Sequence, residues 1–242
     1  SGGVPGAHHA QLLQAEGVRM QAIPIAAEMH ESFSVHELSS AQDFRFVLPG
    51  PQVQAHEWQA CHDWVTGHWP SQFLVLSGGN PPGVPDTAYA DLTRSAKDRG
   101  LKVVVDSHGP LLEAALAQGV FCFKPNEKEL GELMGRPLPD DPALHQAARE
   151  LVQQGHAQWV AVSLAERGAL MVGATDAWRA PAVQVSPRTT IGAGDSFVAG
   201  LVWGWLQACP PPEVLRWAMA CGGAALLNPG TALCEAADVR EL

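Results

Sequence analysis

The chain has 242 residues, and 15 Lys and Arg residues against 25 Asp and Glu residues give it a formal net charge of −10. This acidic balance argues against a protein that binds nucleic acid through bulk electrostatic attraction, although a few local N–H groups and cations can still bind an anionic substrate. Hydrophobic residues make up 46% of the sequence and charged residues 17%, a composition that builds a core and excludes a disordered chain. The length predicts one domain over residues 1–242.

The sequence shows no apolar run that is long enough to cross a membrane, and no secretory signal opens it. Its five cysteines are odd in number, widely spaced and free of C-x-x-C pairs. This pattern favours reduced cysteines in a cytoplasmic protein over a disulfide framework or a zinc site. We therefore expect a cytoplasmic protein with no membrane partner and no nucleic-acid partner.

The first part of the chain predicts a helix, a strand and a hairpin. Apolar residues at helical spacing indicate a helix over residues 8–16, and Gly17 is a suitable residue to end it. Residues 20–25 and 33–38 are predicted as strands, and residues 44–48 alternate in the way a strand does. The short polar turn between the last two predicts a β-hairpin within residues 32–48.

From Gln52 onward, helical and strand patterns alternate along the chain. The strands are predicted at residues 73–76, 101–105, 120–123 and 159–162, and the helices at residues 55–68, 86–98, 111–118 and 143–154. Short apolar runs separated by helix-length segments are typical of buried parallel strands, so we predict a doubly wound α/β fold with helices on both faces of the sheet. Antiparallel edge strands at residues 169–172 and 178–185 and helices near residues 195–207 and 213–227 complete the pattern.

The clearest chemical signal is Gly192-Ala193-Gly194 followed by Asp195 and a long apolar helix. Small residues before a helix let backbone N–H groups point into one concavity at the positive end of the helix dipole, which suits an oxyanion or a phosphate. A carboxylate in the first turn of that helix suits a general base that takes a proton from a hydroxyl group. The alternative is an ordinary glycine turn with Asp195 as a first-turn helix residue.

Asn126 and Glu129 form a second signal, because they lie three residues apart after a buried strand. This spacing places both side chains on one face of a helical first turn. Their oxygen atoms could hold a hydrated Mg²⁺, but the same spacing is also that of a capping box. The two interpretations stay open at this stage.

The turn that begins at Ser163 is a third signal, and it either lies against a nucleotide or is a simple turn. Polar residues follow each predicted parallel strand at its carboxyl end, where ligands bind in such sheets. They are Ser77-Gly78-Gly79, Asp106-Ser107, Lys124-Pro125-Asn126 and Ser163.

Several of these segments occur in an order that resembles the PfkB carbohydrate kinase family of the ribokinase superfamily, in the branch of phosphofructokinase, 1-phosphofructokinase and tagatose-6-phosphate kinase. The matching segments are residues 77–85, 105–107, 124–130, 163–164, 190–196 and 228–231. The resemblance implies a ribokinase-like fold with a hairpin lid at residues 32–48 and ATP-dependent phosphorylation of a sugar-phosphate hydroxyl. It also implies that the family's opening segment, with its first strand and a sugar-binding Asp, lies outside this chain.

The resemblance further implies roles for individual residues. Asp195 would be the base and Gly192, Ala193 and Gly194 the anion hole. Residues near the nucleotide would be Lys124, Asn126, Ser163, Gly168, Thr190, Met219 and Gly223. Asn126 and Glu129 would lie in the Mg²⁺ region, and the carbonyls of a monovalent-cation (K⁺) site would map to Thr189, Ile191, Ala225, Asn228 and Gly230.

Three residues depart from the family's pattern, and two of them concern the sugar site. His30 stands where this branch has an Arg that is expected to hold the substrate's phosphate, and Gly79 replaces a Ser in the segment that begins at Ser77. Ala165 replaces a glycine. Two alternatives therefore stay open beside the sugar-phosphate kinase: a kinase for a different sugar or nucleoside, and a catalytically impaired nucleotide-binding remnant. The lid hairpin would also pair two subunits in a homodimer.

Overall fold

The structure is a computed structural model that describes residues 1–37, 39–40, 42–68 and 71–242. Its chain forms two compact units, one of Ser1–Pro70 with Gly79–Ala88 and one of Ser71–Gly78 with Tyr89–Leu242. Across the described ranges, no helix combines the length and the apolar character that spanning a membrane requires.

The first unit contains two helices and the predicted hairpin. Its elements are α1 (Gly3–Ala15), β1 (Phe33–Glu37), β2 (Gln42–Phe46) and α2 (Ala55–Gly67). The two strands pair antiparallel, with Phe33 opposite Phe46 and Val35 opposite Phe44, so the hairpin is confirmed. The second strand begins at Gln42, inside the predicted turn. Leu38 and Ala41, which the prediction also included, lie outside the described residues.

The predicted strand at residues 20–25 is wrong. The segment that follows α1 forms no strand, and its backbone groups bond to isolated partners instead of a ladder. Ile25 N–H donates to the Ser1 carbonyl over 3.2 Å, and Ala26 N–H donates to Oε1 of Glu57 over 2.6 Å. A local sequence pattern cannot show whether a neighbouring strand exists to receive the pairing.

The second unit is built on one six-stranded sheet. Its strands are β3 (Phe73–Ser77), β4 (Lys102–Asp106), β5 (Val120–Phe123), β6 (Ala157–Ser163), β7 (Ala169–Val172) and β8 (Ala177–Ala180). They lie side by side in chain order, with β3 to β6 parallel and the last two antiparallel. Because parallel neighbours need a crossover, helices follow most of these strands.

The helices of the second unit are α3 (Ala88–Lys97), α4 (Gly109–Leu116), α5 (Glu127–Met134), α6 (Asp141–Gln153), α7 (Ala193–Leu206), α8 (Pro211–Ala225) and α9 (Ala236–Glu241). They cover both faces of the sheet, since the consecutive residues Val103, Val104 and Val105 of β4 point to alternate faces and are all buried. Leu201 of α7 and Leu215 of α8 belong to the same core cluster as Val104. The mostly parallel, doubly covered sheet that the sequence predicts is confirmed.

Several boundaries differ from the sequence prediction. Helix α1 begins at Gly3 instead of residue 8, and the edge strand β8 ends at Ala180 instead of residue 185. The six-residue helix α9 was not predicted. A helix of that length spans fewer than two turns, so its apolar residues cannot establish a period.

Candidate active site

The polar residues predicted at the carboxyl edge of the sheet lie together there. Ser77 and Asp106 end neighbouring strands and are direct partners in the parallel register. Asn126 and Ser163 pair in the same way through an isolated parallel bridge beyond β5 and β6. Lys124, which directly follows β5, lies between these two pairs. Strand register therefore brings together residues that are almost ninety positions apart in the sequence.

A buried ion pair lies at the centre of this edge. Nζ of Lys124 is 3.2 Å from Oδ1 of Asp106, and the side chains are only 7% and 18% exposed. Burial raises the pKa of Asp106 above its ordinary value, and this effect exceeds the lowering by the ammonium group of Lys124. The negative charges of Glu129 and Asp195 raise the pKa of Asp106 further, which places all four ionisable groups within one electrostatic cluster.

The turn before α7 has the conformation that an anion site requires. Gly192 is the N-cap with φ +76°, a left-handed conformation that favours glycine. The first N–H groups of a helix have no acceptor within the helix and remain free for an anion. A Cβ on Gly194 would lie 3.5 Å from Nζ of Lys124, so the ammonium group lies beside this turn.

Asp195 is in the first turn of α7, as predicted, and its side chain is exposed. It lines a groove of about 420 Å³ together with Ser77 at the end of β3. The other wall of this groove is apolar and includes Val198 and Trp203 of α7. The groove therefore offers a carboxylate and a hydroxyl group next to an apolar surface.

Asn126 and Glu129 form a complete capping box at the start of α5. Oδ1 of Asn126 accepts the backbone N–H of Glu129 at 2.8 Å, and Oε2 of Glu129 accepts the backbone N–H of Asn126 at 2.7 Å. This arrangement fixes both side chains and leaves Oε1 of Glu129 outside the cap. Within the described ranges, no group of three or more His, Cys, Asp or Glu side chains is placed to hold a metal ion.

The turn after β6 consists of a single 3-10 turn (Ala165–Arg167) closed by a hydrogen bond of 2.8 Å from Leu164 N–H to the Gly168 carbonyl. Ala165 has φ +48°, a left-handed conformation that is strained for a residue with a Cβ. Gly168 has φ +91°, and a Cβ there would lie 2.1 Å from the Ala180 carbonyl oxygen. The turn is therefore packed closely against β8.

The segments proposed from the resemblance for a monovalent cation also meet. Oγ1 of Thr189 donates to the Gly230 carbonyl over 2.9 Å and accepts the N–H of Ile191 at 3.1 Å. The amide of Asn228 donates to the Leu233 carbonyl over 2.8 Å, which orders the loop after α8. Thr190 is exposed, in the segment just before the turn of residues 192–194.

The remaining predicted residues have different environments. On α8, Gly223 packs against the side chain of Val183, and Met219 packs against the main core cluster of this unit. Ala225 is buried at the end of the same helix. His30 and Gly79 are exposed and belong to the first compact unit, whereas Ser77 belongs to the second.

Sequence reasoning placed Asp106 at this edge but assigned it no role. The signal that could have found it is the parallel register, because residues that end adjacent parallel strands become neighbours. A six-stranded α/β sheet whose carboxyl edge carries a helix N-terminus, a buried lysine and an exposed carboxylate is typical of small-molecule phosphotransferases.

Comparison with known proteins identifies the family. The model of the pfkB family carbohydrate kinases matches residues 2–238. ATP-dependent 6-phosphofructokinase isozyme 2 of Escherichia coli (strain K12) is 34% identical over 243 residues, which cover 100% of this chain and 79% of the relative. The 1-phosphofructokinase of the same organism is 35% identical over 197 residues, which cover 80% of this chain and 61% of the relative.

The crystal structure of phosphofructokinase-2 from Escherichia coli in complex with potassium matches with a TM-score of 0.95 at 34% identity, covering 100% of this chain and 78% of that one. The chain belongs to the pfkB family of carbohydrate kinases. Its fold is the ribokinase-like fold that the sequence motifs implied.

Proposed function

We propose that this chain transfers the terminal phosphoryl group of ATP to a hydroxyl group of a sugar phosphate, with Asp195 as the general base. The observation that carries the proposal is the position of Asp195, which follows the 192–194 turn directly and shares a groove with Ser77. A hydroxyl group that enters this groove can lose its proton to the exposed carboxylate. The similar proteins are named phosphofructokinases, and this supports a phosphorylated sugar as the acceptor.

The surrounding residues suit the charge that phosphoryl transfer creates. The free N–H groups at the start of α7 and the ammonium group of Lys124 beside Gly194 present positive charge to one point. Because this stabilisation is fixed before the reaction begins, it costs no reorganisation as the negative charge moves. Asp106 holds the lysine in this position through the buried ion pair.

The nucleotide would lie along the edge formed by Asn126, Ser163 and Gly168, with Thr190 near the phosphates and Met219 and Gly223 near the base. The pairing of Asn126 with Ser163 supports this assignment, since it gives the edge a continuous polar rim. Asn126 and Glu129 fit a hydrated Mg²⁺ bound through water, because the capping box leaves Oε1 of Glu129 free of the cap. Mg²⁺ held there would neutralise phosphate charge.

A K⁺ site is proposed from the carbonyls of Thr189, Ile191, Ala225, Asn228 and Gly230. The hydrogen bond between Thr189 and Gly230 supports it, because it holds the two contributing segments side by side next to the anion turn. The potassium complex of the Escherichia coli phosphofructokinase-2 supports it as well. For the acceptor, we propose a contact from Ser77, which lines the same groove as Asp195.

The hairpin suits a homodimer interface. Phe33, Val35, Phe44 and Phe46 lie on one face of the two strands, and each is about half exposed. The rings of Phe33 and Phe46 stack with their centroids 4.9 Å apart. We propose that this apolar face packs against a second copy of the chain.

We also propose that the enzyme acts in the cytoplasm.

An ADP-release assay tests the proposed function. The chain is supplied with Mg·ATP and in turn with fructose 6-phosphate, fructose 1-phosphate, a tagatose phosphate and an unphosphorylated sugar. Turnover with a sugar phosphate is expected, and Asp195→Asn should lower kcat by about 10²–10⁴-fold while ATP still binds. A ketose without phosphate as the best substrate would overturn the acceptor class, and an active Asp195→Asn variant would overturn the base.

A further inference from the structure

A network of ion pairs connects the turn after β6 to the first residues of two helices. Arg167, in the 3-10 turn, contacts Oε2 of Glu127 through Nη2 and Oδ1 of Asp141 through Nη1, the latter at 2.6 Å. Arg179 of β8 contacts the second oxygen of Asp141 at 3.0 Å. Glu127 begins α5 and Asp141 begins α6, where the helix dipole favours a carboxylate.

The two ends of this network adjoin the proposed nucleotide edge. Glu127 directly follows Asn126, and Arg167 directly precedes Gly168. The guanidinium group therefore spans the two segments that frame the edge. Its planar fork can donate to two carboxylates at once, which a lysine ammonium group on a flexible stem does less well.

The turn needs an external support because its own conformation is strained. Ala165 has the left-handed φ of +48°, and the turn is otherwise closed by short-range backbone bonds from Leu164, Arg167 and Gly168 N–H groups. A left-handed conformation is strained for a residue with a Cβ. The start of the turn is tied to the start of α5 by the hydrogen bond of 3.0 Å from Ser163 N–H to the Pro125 carbonyl. The ion pair of Arg167 with Glu127 adds a second connection from the far end of the turn.

We propose that Arg167 is a positioning residue that holds residues 164–168 against the start of α5, so that Ser163, Gly168 and Asn126 form one preorganised surface for the nucleotide. This inference rests on the proposed function. Arg167 acts through the turn and not on the reacting atoms, so its loss affects nucleotide affinity and leaves the chemical step unchanged.

Nucleotide binding by the full chain tests this. Calorimetry with Mg²⁺ and the non-hydrolysable analogue AMP-PNP is expected to give a Kd about fivefold weaker for Arg167→Gln, with Arg167→Lys in between. The KM for ATP should rise in proportion, while kcat and the KM for the sugar phosphate change less than about twofold. Arg136→Gln is the matched control, because Arg136 lies just after α5 and contacts Glu150 of α6 at 2.6 Å, away from the turn.

Removing both acidic partners provides an independent test. The double variant Glu127→Gln and Asp141→Asn should reproduce the weaker Kd, and adding Arg167→Gln to it should change the Kd no further. An Arg167→Gln variant that binds AMP-PNP as tightly as the unmodified chain, or an equal loss in Arg136→Gln, would overturn the inference. If the unmodified chain itself binds no AMP-PNP, the proposed function fails, which is a distinct outcome.

Discussion

Lys124 and Asp106 form a buried ion pair with Nζ and Oδ1 3.2 Å apart, at the ends of two adjacent parallel strands. The pair lies beside the turn that begins α7, and its burial raises the pKa of the Asp106 carboxyl group. A buried charge without a partner is costly, and Asp106 provides that partner for the ammonium group beside the turn that begins α7.

The first prediction concerns this pair. Lys124→Met leaves the carboxylate of Asp106 buried without a cation and should lower the free energy of unfolding by about 2 kcal/mol, less than for a fully buried pair because Asp106 is partly exposed. Asp106→Asn should also lower the free energy of unfolding. The loss in the double variant should be at least about 1 kcal/mol smaller than the sum of the losses in the two single variants. Urea unfolding measures all three variants.

The exposed pair of Lys128 and Glu132 is the control for this cycle, with side chains 85% and 63% exposed. Its coupling free energy should stay below about 0.5 kcal/mol. Additive effects at Lys124 and Asp106 would contradict the prediction.

The second prediction concerns Ala208, which follows α7 with φ +55°. The N–H of Ala208 donates to the Trp205 carbonyl, and the N–H of Cys209 donates to the Gly204 carbonyl, each over 3.0 Å. These two bonds form a Schellman motif, in which alanine stands where glycine is usual. Ala208→Gly should raise the free energy of unfolding by about 0.5–1 kcal/mol, because relief of the left-handed strain exceeds the added chain entropy.

Ala117 provides the matched comparison, since it caps α4 in the right-handed conformation with φ −61°. Ala117→Gly should therefore destabilise by about 0.5–1 kcal/mol. Thermal or urea unfolding measures the change in the free energy of unfolding for each substitution. If both changes had the same sign, the backbone conformation would not control the effect of alanine-to-glycine substitution.

The third prediction is a pH dependence in the first unit. The Glu57 carboxylate accepts the backbone N–H groups of Gln54 and Ala26, and these bonds hold its pKa below the ordinary value. A carboxyl group with a lowered pKa in the folded state stabilises the fold above its unfolded pKa, and this stabilisation is lost as the pH falls through the folded pKa. Glu57→Gln should therefore unfold at lower urea concentration than the unmodified chain at neutral pH.

The difference between the two urea midpoints should shrink steadily from about pH 6 to about pH 3. Glu16→Gln, which removes the charge of an exposed glutamate at the end of α1, is the control. A difference in midpoint that stays constant over this range would contradict the role of the Glu57 charge.

The fourth prediction concerns the hairpin. Phe46→Ser removes one ring of the stacked pair from the apolar face of β1 and β2, so it should shift a dimer toward the monomer in sedimentation velocity. Leu12→Ser, which removes an exposed apolar side chain from α1, should leave the sedimentation coefficient unchanged. A chain that sediments as a monomer before any substitution would rule out this interface.

Much of the second unit can be predicted from the sequence because its signals are local. The apolar runs of β3 to β6 and the helical periods between them require no knowledge of distant residues, and the turn before Asp195 identifies itself by composition. The strand predicted at residues 20–25 fails for the opposite reason, since a strand requires a paired neighbour and Ile25 N–H bonds to the Ser1 carbonyl instead.

The sequence by itself determined the order of the elements, the glycine turn that begins α7 and the carboxylate that follows it. The tertiary structure alone decided that Asp106 neutralises Lys124 and that Arg167 meets both Glu127 and Asp141. The physical reason is that propensity and hydrophobic period act over one or two helical turns, whereas these ion pairs join residues 18 to 40 positions apart. Only the register of parallel strands and the packing of helices on them bring such residues into contact.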